Sequence, residues 1–413
     1  MVRVRGLKMD NREFFASIDI GSSKIIMLIA EIENDRIHVF AHASVPSLGV
    51  KNGVITNLDL AIKSVKKVIE KIKESCAEQV KYINVNITDL HLSSVNQNRQ
   101  ISFDGKTKII TKEDILNAIQ NASAGSVATN KKRLDPIISN FTVDDQVMDQ
   151  PIGLEAEVLG ASVHLVAVSN QALNGIENCL KSCGLGPDKI VLDSIASSMV
   201  CISQDEKYEG VCLLDIGAAV SNISIFTKGG VTYSHVFKFG GNTITENIAQ
   251  AYNTSFAEAE RLKLAYGILQ PTAALKDCLI EFEQLDSNNK YYLSLYELIV
   301  IIENSYKDVC SIIKKSLKSE KLDRALKAGL VVIGGASKIE NCESFLLKEF
   351  RIRTKVAKIN RELVSGNEDL LTDIGYFSAF GLLTYHASES YLQEMEQVQK
   401  SGLFGKIKGL LEL

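Results

Sequence analysis

The feature that most constrains the fold of this 413-residue chain is a short pattern that occurs twice. Residues 14–29 and residues 211–226 each contain an apolar run, then Asp-Ile-Gly followed by small residues, then a second apolar run. A turn of small residues between two buried runs predicts a β-hairpin. Because the hairpin recurs almost half the chain apart, the sequence predicts two duplicated halves that each open with it.

The composition is that of a soluble globular protein. Because 413 residues are too many for one ordinary hydrophobic core, several subdomains are expected. The net charge of −4 argues against a general nucleic-acid binder. The eight cysteines form no Cys-x-x-Cys pair, so reduced core thiols are expected, and the six histidines do not cluster as zinc ligands would. Residues 1–12 lack the apolar stretch of a signal peptide, and no run of about 20 apolar residues predicts a membrane span. We therefore expect a cytoplasmic protein.

Between the hairpins, the pattern changes at about residue 88. An amphipathic helix is predicted at 61–76 and a strand at 82–87, both packed in the first half. Residues 88–160 are more polar and strand-rich, with one helix that begins at Thr111 and Asp114 in capping-box spacing, and we interpret them as an inserted subdomain. A strand at 162–169 and a helix at 171–183 are expected to return to the first half.

The second half continues with clearly marked elements. The predictions are a strand pair at 227–239 before Gly240-Gly241, a helix at 255–267 with a capping box and a closing glycine, a long helix-like segment at 291–317, a strand at 329–333 before Gly334-Gly335, a last apolar segment at 376–385 and a polar tether at 388–401.

Both hairpin turns have the chemistry of a phosphate-binding loop. Such a loop needs backbone N–H groups that small residues leave accessible and a nearby carboxylate that holds hydrated Mg²⁺. Gly21-Ser22-Ser23-Lys24 follows Asp19, and Gly217-Ala218-Ala219 follows Asp215. Lys24 adds a positive charge, and Gly334-Gly335-Ala336 would let a purine and ribose approach closely. One Asp-x-Gly is weak support because ordinary turns use the same residues, but the ordered set is more specific.

This ordered set resembles the actin, sugar-kinase and heat-shock-ATPase superfamily, and within it the FtsA family of actin-like cell-division proteins over nearly the whole chain. The matching stretches are residues 192–198, 210–217 and 239–245, together with Ala259, Glu260 and Lys263 on the family's nucleoside-contacting helix. The insertion between strands 82–87 and 162–169 corresponds to the subdomain peculiar to this family.

The resemblance implies an α/β protein with a two-lobed, actin-like ATPase fold and an FtsA-type inserted subdomain. The expected bounds are an N-terminal extension (1–13), a first-lobe core (14–87 and 161–200, with 371–387), the inserted subdomain (88–160), a second-lobe core (201–243 and 326–370), a small partner-binding subdomain (244–325), a tether (388–400) and a membrane-binding helix (401–413).

It also implies ATP and Mg²⁺ as cofactors, with Asp19 and Asp215 holding the metal through water. The expected cofactor-binding residues are Asp19, Gly21, Ser22, Ser23, Lys24, Asp215, Gly217, Ala218, Ala219, Asn222, Gly240, Gly241, Glu260, Lys263, Gly334, Gly335 and Ala336.

One departure from the family pattern concerns turnover. The second phosphate loop of the family usually has the pattern Asp-x-Gly-Gly-Gly-Thr, whereas this chain has Ala218 and Ala219 and places its hydroxyl at Ser221. No Asp or Glu stands out as the general base that a sugar kinase needs. We therefore expect nucleotide binding with, at most, weak ATPase activity.

The last thirteen residues form the second strong signal. Helical projection of 401–413 places the apolar side chains on one face and the charged ones on the flanks, a length and pattern suited to lying in a membrane interface. Two lysines favour anionic headgroups, and a polymer presenting many such helices would bind by avidity. The alternative is a last helix docked on the protein's own core. The expected membrane-contacting residues are Leu403, Phe404, Lys406, Ile407, Lys408, Leu410 and Leu411.

The resemblance implies several partners at the cytoplasmic face of the bacterial inner membrane, at the division site. These are the C-terminal peptide of the tubulin-like ring protein FtsZ, further copies of the chain in a head-to-tail polymer, anionic lipids and other division proteins. The region matching the FtsZ-binding surface comprises Glu303, Asn304, Ser305, Tyr306, Lys307 and Asp308, although the same charges also fit a plain solvated face.

Two other functions remain open from the sequence alone. A small-molecule kinase of the same superfamily would need a catalytic carboxylate and would not need the amphipathic tail. An actin-like pilus-assembly adaptor also binds a peptide at the membrane, but the FtsA-type insertion and the tail argue against it.

Overall fold

The computed structural model describes residues 14–33, 36–76, 80–285 and 290–385. The predicted N-terminal extension (1–13), the tether and the membrane-binding helix therefore lie outside the described residues. Among the helices in these ranges, none is long and apolar enough to cross a membrane.

Strands supply most of the framework of both halves. In chain order they are β1 (Phe14–Ile20), β2 (Lys24–Glu33), β3 (Arg36–Pro46), β4 (Val50–Lys51), β5 (Val54–Ile55), β6 (Val80–Ile87), β7 (Ser93–Ser102), β8 (Lys108–Ile109), β9 (Lys131–Arg133), β10 (Ile137–Val143), β11 (Gln146–Met148), β12 (Glu155–Ala156), β13 (Val158–Ser169), β14 (Lys189–Leu192), β15 (Val211–Ile216), β16 (Ser221–Thr227), β17 (Gly230–Phe237), β18 (Leu279–Glu283), β19 (Lys290–Ser294), β20 (Gly329–Ile333), β21 (Thr354–Val356) and β22 (Val364–Ser365).

The helices cover the sheets and connect the two halves. They are α1 (Leu58–Ser75), α2 (Lys112–Ala122), α3 (Asn170–Ser182), α4 (Asp193–Cys201), α5 (Gln204–Glu209), α6 (Gly241–Tyr252), α7 (Phe256–Tyr266), α8 (Leu295–Ser319), α9 (Cys342–Phe350) and α10 (Glu368–Thr372), and residues 377–385 are also helical.

The two large sheets have the same topology. In the first, the order β3-β2-β1-β6-β14 joins an antiparallel meander to two parallel strands, and β22 extends the β3 edge. In the second, the order β17-β16-β15-β20-β21 repeats that arrangement. Each meander opens with the predicted hairpin. The prediction of two duplicated halves is confirmed.

Two helices join the lobes and share one hydrophobic core with them. Side chains from α4 and from residues 377–385 pack in the same cluster as the first sheet and one face of the second sheet. A side chain at Gly381 would lie 1.9 Å from the carbonyl oxygen of Ala196, so only glycine permits this approach. The hydroxyls of Ser197 and Ser378 also lie 2.9 Å apart. The two connecting helices therefore contact each other directly.

Capping residues explain several helix boundaries. The side chain of Asn57 accepts the N–H of Leu60, so α1 begins three residues before the predicted start. At α2 the predicted capping box of Thr111 and Asp114 is confirmed. At α7 Ser255 caps the helix as predicted, but the carboxylate of the residue that would complete the capping box pairs with Arg261 instead.

One helix prediction and two strand predictions need correction. Residues 291–294 belong to β19, so the long helix begins only at Leu295, where the alternating hairpin pattern gives way to helical spacing. The predicted pair at 227–239 is the single strand β17, which follows a turn with positive φ at Lys228 and Gly229. The strand predicted at 162–169 was placed in the first half, yet β13 forms the centre of the inserted sheet, between β10 and β7.

The length of β13 accounts for the last correction. Leu159, Ala161 and Val163 belong to the separate core of the inserted subdomain, which α2 completes. Further along the same strand, Val166 and Val168 reach the first-lobe core. One twelve-residue strand thus spans two cores. The residue pattern alone did not show that its hydrogen bonds lie with the insertion.

The inserted subdomain also contacts the second lobe, at strand β17. The side chain of Asn96 on β7 donates to the carbonyl oxygen of Thr232, at 2.6 Å. The ring of His164 on β13 is fully buried, with Nε2 3.1 Å from Ser234 Oγ and Nδ1 2.7 Å from Asn96 Oδ1. Burial lowers the pKa of His164 from 6.5 to about 4.

This buried histidine makes a testable contribution to acid sensitivity. Since its pKa is lowered on folding, the unfolded chain binds more protons between pH 6.5 and 4, so folded-state stability falls as the pH drops through this window. We expect wild type to lose about 2 kcal/mol more than His164→Gln between pH 7 and pH 5, measured by urea unfolding. Equal losses in both proteins would contradict the prediction.

Candidate functional site

A cleft of about 710 Å³ lies between the two sheets, at the ends of their central strands. Sixteen of the seventeen residues predicted to bind the cofactor line it, and Gly240 is the exception. The two hairpin turns and the turn after β20 thus converge on one cavity although they are far apart in the sequence. The assignment of a ligand to these residues remains a proposal.

Each hairpin turn is closed by one backbone hydrogen bond. Gly21 N–H donates to the carbonyl oxygen of Lys24 at 3.1 Å, and Gly217 N–H donates to that of Val220 at 3.0 Å. These bonds leave the N–H groups of the residues between them as donors for phosphate oxygens. The equivalent closure of both turns gives the cleft two facing loops.

The second loop is fixed by the start of α6. The N–H groups of Gly241 and Asn242 donate to the carbonyl oxygens of Gly217 and Ala218, at 2.9 and 2.7 Å. A side chain at Gly240 would lie 2.5 Å from the carbonyl oxygen of Ala218. The absence of a side chain at Gly240 therefore permits the close approach of the second loop to the start of α6, and the expected contact of Gly240 with a cofactor stays a prediction.

The alanines of this loop fit without strain. Neither Ala218 nor Ala219 is among the residues with positive φ, so the backbone does not require glycine at either position. Both residues line the cleft. The two alanines thus place methyl groups in the second loop without straining its backbone.

The third turn approaches the second hairpin closely. Gly334 has φ of 90°, and a side chain there would lie 2.2 Å from Asp215 Oδ1. Gly335 has open space where a side chain would be, and it faces the cleft. The hydroxyl of Tyr306, a buried side chain of α8, donates to the carbonyl oxygen of Ala336 and holds the turn.

The helix α7 brings an ion pair to the same cavity. Lys263 Nζ lies 2.7 Å from Glu260 Oε2 and also donates to the carbonyl oxygen of Gly241, at 3.0 Å. Thr245 joins this network through its hydroxyl, which accepts from Lys263 and donates to Glu260. The predicted pair is thereby held against the start of α6 in a defined orientation.

Three carboxylates meet in the floor of the cleft, and two asparagines connect them. Asn86 Nδ2 donates to Asp19 and to Asp193, at 2.6 and 3.0 Å. Asn222 Nδ2 donates to Asp193 and to Asp215, both at 3.3 Å. Asp193 thus lies between the two predicted metal-holding residues. This place of Asp193 between the other two carboxylates was not predicted from the sequence. Its position directly after a strand and at the start of a helix was nevertheless a usable signal.

Burial and repulsion raise the pKa of two carboxyl groups in this cluster. Burial, and then the charge of Asp193, raise the pKa of Asp19 from 3.8 to about 8. The same two causes raise the pKa of Asp215 well above its ordinary value. A divalent cation near these groups would favour their charged forms, because opposite charge lowers a carboxyl pKa.

Direct metal coordination does not fit the cluster, whereas contact through water does. Within the described ranges, no group of three His, Cys, Asp or Glu side chains could hold a metal ion. Asp19 and Asp215 both line the cleft beside the turn loops, so their carboxylates could accept hydrogen bonds from metal-bound water. The hydrated ion itself stays a prediction.

Lys24 lies on the first-lobe side of the cavity with a second basic residue nearby. Its ammonium group is 4.5 Å from the ring centre of Tyr376, and burial lowers its pKa. Lys338, also in the cleft lining, pairs with Asp373 at 2.7 Å. The place of Lys338 in the cleft was not predicted, because nothing in the residue pattern showed that it lies near the first loop.

The predicted FtsZ-binding region on α8 divides into two faces. Ser305 and Tyr306 are buried, so the structure contradicts their expected place on a partner-binding surface. Helical geometry is the reason, because both project towards the second-lobe core while their neighbours face outwards. Asn304, Lys307 and Asp308 are exposed, and Lys307 pairs with the half-buried carboxylate of Glu303.

Three family models match parts of this chain. The family model described as "Cell division protein FtsA" matches residues 212–381, and the one described as "SHS2 domain inserted in FTSA" matches residues 90–167. A model for the type IV pilus assembly protein PilM matches residues 140–278. The inserted subdomain is the deciding observation.

The chain belongs to the FtsA family.

Relatives along nearly the whole chain agree with this assignment. The cell division protein FtsA of Neisseria meningitidis serogroup B is 26% identical, covering 97% of this chain and 98% of the relative. The FtsA of Pseudomonas aeruginosa is 27% identical, covering 90% and 89%. The FtsA of Escherichia coli K12 is 26% identical, covering 95% of each.

Solved structures confirm the two-lobed, actin-like fold. A PilM–PilN type IV pilus biogenesis complex has a TM-score of 0.61 at 16% identity, covering 90% of this chain and 98% of the other. MreB5 of Spiroplasma citri bound to ADP has a TM-score of 0.56 at 14% identity, covering 93% and 98%. Together with the FtsA relatives and family models, this fold makes the chain an FtsA-type, actin-like division protein.

The carboxylate cluster generates a prediction about stability and pH. Because folding raises the pKa of Asp19 and Asp215, the folded chain binds more protons above pH 4, and stability falls as the pH rises towards 8. Asp193→Asn removes one repelling charge. At pH 8 we expect the variant to be about 1 to 2 kcal/mol more stable than wild type, by chemical unfolding, and the gain to disappear near pH 4.

A matched control separates this effect from a general loss of charge. Asp104 is exposed and has φ of 57°, which Asn also adopts readily. Asp104→Asn should leave the unfolding free energy unchanged at both pH values. A loss of stability at pH 8 in Asp193→Asn would show that the hydrogen bonds of Asp193 outweigh the repulsion.

Proposed function

We propose that this chain is an ATP-binding, actin-like protein that polymerises on the inner face of the cell membrane and links the FtsZ ring to it. The observation that supports this most strongly is the convergence of two matching turns and a third Gly-Gly turn on one cleft, in a member of the FtsA family. A relative of the same fold, MreB5, is described as bound to ADP. The geometry of the cleft suits a nucleoside triphosphate with hydrated Mg²⁺.

Each part of the cleft has a separate role in this proposal. Ser22, Ser23 and the alanines of the second loop offer backbone N–H groups to the phosphates. Glu260 and Lys263 orient the ribose, and Gly335 lies against the base. Mg²⁺ would supply positive charge between the phosphates, and Asp19 and Asp215 would accept hydrogen bonds from its water.

The output of nucleotide binding is proposed to be mechanical. Two lobes that meet at a pair of connecting helices can close around a ligand, and closure would change how one copy contacts the next. Another neighbour of the same fold, MamK, has been solved as a double helical filament, at a TM-score of 0.52 and 12% identity. Binding of ATP is more strongly supported than its hydrolysis.

Partner binding is assigned to the small second-lobe subdomain and to the tail. The exposed residues Asn304, Lys307 and Asp308 offer an amide, a positive charge and a negative charge to the C-terminal peptide of FtsZ. Residues 401–413 would lie in the membrane interface, which places the protein at the inner membrane of the division site. The proposed residue bounds of the subdomains are those given by the sequence, except that β13 belongs to the inserted sheet.

A pilus-assembly adaptor is the second candidate, because a PilM family model and a PilM–PilN structure both match. The match to the FtsA insertion favours division. If an FtsZ peptide failed to bind and a pilus peptide bound, the pilus-assembly role would become the first candidate.

Nucleotide binding is tested by filling the cleft without disturbing the fold. A side chain that replaced the hydrogen of Gly335 would meet no heavy atom within 4 Å of its first carbon, so Gly335→Leu should fold normally while its side chain occupies the place of the base. We expect the affinity for ATP with Mg²⁺ to fall by about tenfold or more, measured by titration calorimetry. Gly186 has equally open surroundings and does not line the cleft, so Gly186→Leu is the matched control. Unchanged affinity in Gly335→Leu would place the nucleotide elsewhere.

Membrane binding is tested by co-sedimentation with anionic vesicles in the presence of ATP. We expect the full chain to pellet and a truncation ending at Lys400 to stay in solution, because the apolar face of the last helix is lost. Phe404→Asp should weaken pelleting, whereas Glu412→Gln, on the polar side, should not. If the full chain also stays in solution while ATP binds, the tail is not an anchor and the division-ring role loses its support.

A further inference from the structure

A line of hydrogen-bonded side chains runs from the inserted subdomain to the nucleotide cleft. It begins at Asn96 Oδ1, 2.7 Å from His164 Nδ1, and continues from His164 Nε2 to Ser234 Oγ, at 3.1 Å. Ser234 Oγ lies 3.4 Å from Ser224 Oγ, which lies 2.7 Å from Ser194 Oγ. His164 and the three serines are buried, so water does not replace these partners. We name these five residues the polar chain.

The hydrogen bonds of the polar chain all donate in the same direction, towards Asn96, and the orientation of the Asn96 amide determines this. The amide of Asn96 donates to the carbonyl oxygen of Thr232, so its oxygen faces His164 and must accept. The proton of the neutral His164 ring therefore lies on Nδ1, and Nε2 accepts from the hydroxyl of Ser234. Ser234 in turn accepts from Ser224, and Ser224 accepts from Ser194. Each hydroxyl can donate to its neighbour only if that neighbour directs its own proton to the next acceptor in the chain.

The polar chain crosses two boundaries between parts of the molecule. Ser194 lies in the first turn of α4, the connecting helix, whereas Ser224 lies on β16 of the second lobe. Ser234 lies on β17, and His164 lies on β13 of the inserted sheet. The residue before Ser194 is Asp193, which accepts from both asparagines of the carboxylate cluster. A shift of α4 relative to the second lobe would thus reach the insertion.

The contact between the insertion and the second lobe is polar and incompletely filled. A groove of about 280 Å³ runs along it, lined by Asn96, Ser139, Asn140, Ser162, Thr227 and Thr232, among others. A side chain at Gly230 would lie 2.3 Å from Ser139, so the two surfaces nevertheless touch. A polar contact with open space can change its arrangement more readily than a close-packed apolar core can.

We propose that the polar chain links the cleft to the inserted subdomain, so that the position of α4 sets how firmly strand β7 is held against the second lobe. A closing movement that separates Ser194 from Ser224 leaves the buried hydroxyl of Ser194 without an acceptor and takes one accepted hydrogen bond from Ser224. Because hydrogen bonds in a chain strengthen one another, the remaining bonds to Ser234 and His164 weaken, and the insertion then loosens. The coupling to nucleotide rests on the proposed ATP-binding function, and the coupling between α4 and the insertion does not. By linkage, a ligand on the insertion would change affinity in the cleft by the same factor.

The first test needs no nucleotide. Ser194→Ala removes the cleft end of the polar chain without touching the insertion, and we expect amide hydrogen exchange in β7 to become about fivefold faster or more. Amides of α1 serve as the internal reference for global stability. The matched control is Ser198→Ala, since Ser198 is also buried on α4 but donates within that helix, to the carbonyl oxygen of Ile195. Equal β7 exchange in the two variants would overturn the proposal.

The second test adds ATP and Mg²⁺ to wild type and to Ser194→Ala. We expect nucleotide to change β7 exchange in wild type and to have little effect on β7 in the variant, while exchange in the cleft loops slows in both. Slower exchange in the loops of wild type without any change in β7 would overturn the link to nucleotide. If wild type binds no ATP, the proposed function fails, and the comparison of the two alanine variants still decides whether α4 and the insertion are coupled.

Discussion

The cleft depends on the close contact between the two connecting helices. Gly381 has no side chain, and the carbonyl oxygen of Ala196 occupies the space where one would be. This contact allows one hydrophobic cluster to include the first sheet, both helices and one face of the second sheet. The loops that follow the central strands of both sheets therefore line the same cavity. A larger residue at Gly381 would separate the lobes and enlarge the cavity.

The same closeness has an electrostatic cost at the floor of the cleft. Asp19, Asp193 and Asp215 come from different elements, and their repulsion with burial raises the pKa of two of them. Asn86 and Asn222 offset part of this cost by donating to the carboxylates. The repulsion between these carboxylates thus reduces the stability of the fold at the place where a cation would offset it. Such an arrangement is often found at functional sites.

Much of the cleft was predictable from the sequence because its residues follow strands directly. A glycine after a buried strand and an acid beside it mark a turn at a sheet edge, so Asp19, Asp215 and Gly334 could be found from local pattern. Lys338 could not be placed in this way, since its position depends on how separate elements pack. The pattern marked Asp193 as an acid after a strand, but it did not show that Asp193 lies between Asp19 and Asp215. Ser305 and Tyr306 were wrongly expected at the surface, because a resemblance locates a helix but not the rotation of its buried face.

The sequence by itself determined the duplicated hairpins and the bounds of several helices, because these depend on local periodicity, capping and small residues at turns. The two-lobed fold and the family were expected from the resemblance of the ordered motifs to a known family. Only the tertiary structure decided that β13 belongs to the inserted sheet, that Gly240 lies against the carbonyl oxygen of Ala218, and that a buried histidine connects the insertion to the second lobe. Each of these depends on partners distant in the chain. Hydrogen bonds and burial are shared between such partners, and a linear pattern records the residues without recording which of them meet.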